Sequence, residues 1–180
     1  MTYRKGRFRN LLRRFARERK GSTAIEFAAI IVPFLMMIFG TLEIALIHLT
    51  RTSISNAMEI ESRPIMTGEA GCISLDAFKT GMCSNMGIAG AGGCMPNMKM
   101  SLEELSSFAA NPAPDPSDFG AVNENMDHGQ GGSVMLLRTY HRWDVLFPFL
   151  DKALGGDDGE VMLVSHLAFR NEPFAPPLGC

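Results

Sequence analysis

The chain has 180 residues, 46% of them hydrophobic and 20% charged, which excludes a wholly disordered protein; 18 Gly and 10 Pro also fall short of a fibrous composition. The formal net charge of −2 conceals a split. Residues 1–21 hold nine Lys or Arg against Glu18, while residues 22–180 hold the other eight bases against eighteen acids, so the two parts face different surroundings.

The first element is the basic leader at 1–21, with Arg4, Lys5, Arg7, Arg9, Arg13, Arg14, Arg17, Arg19 and Lys20. A nucleic-acid arm is the rival reading of such a run. Only Phe8 and Phe15 interleave with the bases, and membrane topology accounts for the charge, so no nucleic-acid partner is expected. The next run, AIEFAAIIVPFLMMIFGTLEIALIHL at 24–49, has Glu26, Glu43 and His48 as its only ionisable residues. As a helix its 26 residues measure about 39 Å, enough to cross a hydrocarbon core of about 30 Å. This predicts one transmembrane helix at 22–49, with the lipid bilayer as its partner. Glu26 and Glu43 lie about 26 Å apart along the axis, which leaves each carboxylate near one edge of the core. Arg51 and Arg63 are the only bases soon after the span, so the positive-inside rule keeps the N-terminus cytoplasmic and exports residues 50–180. A secretory signal has a shorter apolar region and a small-residue cleavage site after it. Here the small residues precede the run, at 20–24, so cleavage would remove the leader and keep the helix.

Pro33 lacks an N–H and predicts a kink or loosening within the span. Gly40 has no G-x-x-x-G partner, so it signals helix pairing only weakly. Ile47, Ile54 and Met58 continue the helical spacing through an exported extension at 50–63, and Ser62-Arg63-Pro64 predicts its stop. That stripe is expected to pack on the distal domain, 64–180. Cys72, Cys83 and Cys94 stand eleven residues apart in a glycine-rich stretch with little apolar material. With Cys180 they predict two disulfides in an oxidising compartment, in any of three connectivities. No C-x-x-C pair suggests a metal site instead. The glycines at 87–93 fit neither a dinucleotide fingerprint nor a P-loop, so no cofactor is expected. SLEELSSFAA at 101–110, with Ser101 and Glu104 as a capping box, predicts a short amphipathic helix. Loops are expected at 111–118 and 123–132. SVMLLRTYHRWDV at 133–145 and EVMLVSHLAFR at 160–170 predict paired antiparallel strands, giving an α+β fold.

Catalysis finds little support. His128, His141 and His166 form no H-E-x-x-H, and no G-x-S-x-G is present. His141 and His166 fall on the predicted strands, where satisfied cross-strand contacts are expected. Asp157, Asp158 and Glu160 lack the spacing of a calcium loop and read as a solvated turn. The expectation is therefore no catalytic residue, no cofactor and no metal: a structural or binding protein rather than an enzyme.

Gly21-Ser22-Thr23-Ala24-Ile25-Glu26-Phe27 resembles the class III signal of type IV prepilins, a glycine, four residues and a glutamate before an apolar helix. The longer stretch at 21–43, GSTAIEFAAIIVPFLMMIFGTLE, is similar to the N-terminus of TadE-like proteins, minor pseudopilins of the tight-adherence (Tad/Flp) pilus machinery. Glu26-Phe27, Pro33 and the Phe39-Gly40 to Glu43 stretch sit where that family has them, and FRNEPF at 169–174 loosely resembles its ending. The resemblance implies a type IV pilin-like build, in which a long N-terminal helix carries a small exported domain in the bacterial inner membrane. It implies cleavage between Gly21 and Ser22 by a prepilin peptidase. It also implies that Glu26 meets the N-terminal amine of a neighbouring subunit. Its partners would be other pilin-like subunits and the pilus assembly platform, in the service of cell adhesion. Gly21 suits a protease site because it has minimal bulk and wide backbone freedom. The alternative reading is a single-pass, membrane-anchored extracytoplasmic binding module unrelated to pili.

Overall fold

The computed structural model describes residues 21–87, 93–109, 115–154 and 159–174. The leader, Cys180, Asp157 and Asp158 lie outside these residues. Two compact units divide the chain, the first ending at Leu42 and the second beginning at Glu43. Helix α1, Ser22–Met66, belongs to both.

In the first unit α1 is apolar around its whole circumference. Six consecutive residues, Phe34 to Phe39, are all exposed, as are Ile25, Phe27, Ile30 and Val32. A helix with no polar face and large apolar side chains exposed on every side suits a lipid or helix-bundle environment. It runs uninterrupted through Pro33.

Within the second unit α1 becomes one-sided. Glu43, Thr50, Ile54, Ala57, Met58, Ser62 and Ile65 are buried, at spacings of seven, four, three, one, four and three, whereas Arg51, Thr52, Ser55 and Asn56 are exposed. The helix does not stop at Pro64. Proline's missing N–H and ring clash act on the preceding turn, so the residues after it can stay helical. Thr67 N–H still reaches the Arg63 carbonyl at 3.0 Å. The end comes at Gly68, whose φ of +76° is a left-handed conformation that side chains resist, with the Phe174 ring packed where a Cβ would go.

A second helix, α2 (Leu75–Asn85), forms inside the glycine-rich stretch, where sequence periodicity predicts none. Ser74 caps it by accepting from Ala77 N–H, and Phe78 and Met82 enter the core. The segment therefore supplies core material, contrary to the expectation that covalent ties replace it. Cys83 and Cys94 are joined in a disulfide. Cys72 is disulfide-bonded as well.

Strands β1 (Met98–Leu105), β2 (Asn125–Met126), β3 (Val134–Asp144) and β4 (Glu160–Arg170) form one sheet in the order β2-β1-β3-β4. β3 and β4 pair antiparallel from Val134↔Arg170 to Asp144↔Glu160, as the sequence predicts. The sheet is mixed rather than purely antiparallel, because the two-residue β2 lies parallel to β1.

β1 corrects the expected helix at 101–110. Met98, Met100 and Leu102 alternate with less buried neighbours, a period-two pattern that begins before Ser101 and continues into the helix-favouring SLEEL. Pairing with β3 along the whole strand, Met98↔His141 to Leu105↔Val134, overrides that local preference. The face bearing Met98, Met100, Leu102, Met135, Leu137 and Phe169 packs with Ile54, Met58, Phe78 and Met82 into one core.

Candidate functional site: the apolar helix and its clamp

Gly21 is exposed, and a Cβ added there would meet no atom within 4 Å. The fold therefore places no demand for glycine at this position, and any demand must come from outside it. Ser22 opens the helix, and Glu26 and Phe27 follow one turn later, both exposed. Phe27 shows 64% of its surface. Pro33 comes later in the same apolar stretch, where it removes one donor from the helical ladder.

Glu43, expected near one edge of the bilayer core, is a fully buried side chain, 0% exposed. Its Oε1 accepts the Trp143 indole N–H at 2.7 Å, and its Oε2 accepts the Leu146 backbone N–H at 3.2 Å. Both donors come from the end of β3 and the turn after it. A buried carboxylate needs such partners, because an unpartnered one is strongly disfavoured by desolvation. Glu43 thereby clamps the sheet onto α1 within the apolar run itself. Sequence reasoning missed this pairing because the two ends lie one hundred residues apart. The chain's single Trp, at the end of a predicted strand, was the one available hint.

The ionisable groups elsewhere serve the sheet. On the face away from the core, Asp115 accepts from Tyr140 Oη at 3.1 Å and lies 3.1 Å from His166 Nε2. Arg138 meets Glu103 at 3.2 Å. Burial raises the Tyr140 pKa, and the hydrogen bond to Asp115 adds to the rise. Lys79 of α2 pairs with Glu124. His128 Nε2 lies 3.1 Å from the Ile73 carbonyl. His141 departs from the satisfied contact expected of it. It is buried on the core side opposite Met98 and Leu163, and its Nδ1 has no hydrogen-bond partner. Burial lowers its pKa, against a smaller opposing effect of Asp144. The three histidines stand in three separate places. Among the described residues no group of three His, Cys, Asp or Glu side chains could hold a metal ion.

The family model for TadE-like proteins matches residues 21–59. Over that stretch the chain is similar to TadE-like proteins. The match begins at Gly21, spans the exposed apolar helix and Glu43, and ends within the half of α1 that packs on the sheet. It supports a TadE-like protein of the Tad/Flp pilus system, and α1 is a candidate span for a single-pass membrane protein. No curated protein and no solved structure matches the chain. The matched segment thus contains both the candidate membrane helix and the carboxylate that ties α1 to the sheet.

Proposed function

We propose that the chain is a minor pseudopilin that acts in assembly of a Tad/Flp-type adhesive pilus. In this reading residues 1–21 are a cytoplasmic leader removed by a prepilin peptidase. Residues 22–49 span the inner membrane, 50–63 extend the helix, and 64–180 form the periplasmic domain. Its partners are other pilin-like subunits and the assembly platform, and its role is structural rather than catalytic.

One observation carries the reading. A helix apolar on every side begins directly after Gly21, where the TadE-like match also begins. A leader rich in bases before that point favours a cytoplasmic N-terminus. Mass spectrometry of the mature chain from its native membrane tests the proposal. A start at Ser22, lost on deletion of the host's prepilin peptidase, is the expected result; retention of the leader in both strains would overturn it and favour the membrane-anchored binding module. An export-dependent reporter should be active fused after Cys180 and inactive fused after Lys20.

A further inference from the structure

The turn after β3 reads Val145-Leu146-Phe147-Pro148-Phe149-Leu150, six apolar residues in succession. It is not folded into the core. Leu146 is 57% and Phe149 44% exposed, and the Phe147 and Phe149 ring centroids are 6.1 Å apart. Val145, Phe147 and Leu150 are half-buried beside them, and large apolar side chains exposed this close together point to a contact surface.

We propose that this turn inserts into the outer interfacial layer of the bilayer and holds the sheet domain against the membrane. The inference rests on reading α1 as a membrane span. Its first support is depth. The Leu146 N–H bond to Glu43 ties the turn to α1 six residues before Leu49, the last residue of the apolar run. Six residues of helix are about 9 Å, close to the burial of interfacial apolar segments, about 5–10 Å. Continuity is the second support. Ile44, next to Glu43, and Leu49, at the end of the apolar run, are both exposed, so apolar surface continues along α1 past the clamp.

A third support lies in the backbone. Irregular chain at membrane depth is costly unless its amides are bonded within the protein. Here Val145 N–H donates to the Gly159 carbonyl, Leu146 N–H to Glu43, and Leu150 N–H to the Phe147 carbonyl. Trp143 adds an amphipathic ring, with its N–H turned to Glu43, of the type enriched at membrane boundaries. Exposed Asp144 and Lys152 bracket the turn with charge and limit how far it can sink.

The test uses the full chain, one copy per nanodisc, in phosphatidylcholine brominated either near the headgroup or deep in the acyl chain. Phe149→Trp places a reporter at the exposed tip beside the native Trp143. The added emission should be quenched roughly twofold more by the shallow bromines than by the deep ones, as an interfacial side chain requires. Leu146→Asp should reduce that quenching while the chain stays resistant to carbonate extraction. A tip indole that is unquenched and emits like one in water, in a chain that remains integral, overturns the proposal. That result points instead to a protein partner for the turn. A chain that carbonate strips from the bilayer fails differently: it removes the span itself.

Discussion

Glu43 has two donors and no solvent, so its replacements should separate cleanly. Glu43→Ala leaves the Trp143 indole N–H and the Leu146 amide without their acceptor. A fully buried donor left unsatisfied costs about 1–3 kcal/mol; these two are part-buried, so together they should cost about as much as one such donor. Chemical unfolding in detergent should show a loss in that range for Glu43→Ala. Trp143→Phe removes one donor and should cost less. The double variant should cost less than the sum, since residues in one hydrogen-bonded unit do not add. Strict additivity would mean that the Trp143 bond to Glu43 contributes nothing. His141 gives a second residue-scale expectation. Its folded pKa lies below the ordinary value of 6.5, so below that pH the unfolded chain binds more protons than the folded one. Stability from this group is complete above pH 6.5 and is lost as pH falls towards the folded pKa. The thermal midpoint should drop as the pH falls below about 6.5, and His141→Leu should flatten that slope. An unchanged slope in the variant would assign the pH effect to the carboxylates.

Among the elements, α2 and its disulfide account for what the glycine-rich stretch does. Cys94 is buried in the core cluster, and its bond to Cys83 ties the end of α2 to the approach to β1. Closing so short a loop stabilises by about 2–3 kcal/mol through the unfolded chain. The Cys83→Ser, Cys94→Ser double variant should lose that amount in denaturant unfolding but keep its sheet. Cys72 is bonded as well. Non-reducing peptide mapping should find the Cys83–Cys94 link and Cys72 in a bond of its own, and free Cys83 and Cys94 thiols in the native protein would refute the link. β1 shows why such elements resist sequence reading. A window opened at Ser101 holds a capping box and two glutamates, all signs of a helix. A window opened at Met98 shows alternation instead, and pairing with β3 decides between them.

For the whole molecule, the exposed N-terminal half of α1 is the part that needs partners. Under the pseudopilin proposal, the α-amine of a mature Ser22 has a reference pKa near 7.7–8.0 and is largely charged at neutral pH. Packed among apolar helices it would require a counter-charge, and Glu26 of a neighbouring subunit lies one turn in. Glu26→Ala should leave insertion and leader cleavage intact while reducing subunit association and pilus output. Glu26→Gln, which keeps the shape and loses the charge, should be nearly as damaging. Wild-type piliation with both variants would reduce Glu26 to a headgroup-layer residue that favours the helix dipole, worth about 0.3–1 kcal/mol.

The sequence by itself determined the long helix, its apolar circumference, the basic leader and the β3–β4 pair. Those features come from hydropathy and period, which are local and need no tertiary partner. The Gly21 to Glu43 pattern carried the family resemblance for the same reason. Tertiary structure alone decided three things. It made Glu43 the clamp, because only folding brings Trp143 and Leu146 to α1. It made 101–105 a strand, because ladder hydrogen bonds outweigh helix propensity once β3 lies alongside. It also left His141 Nδ1 without a hydrogen bond on the core side, since strand alternation sets which face a residue occupies but not what waits there.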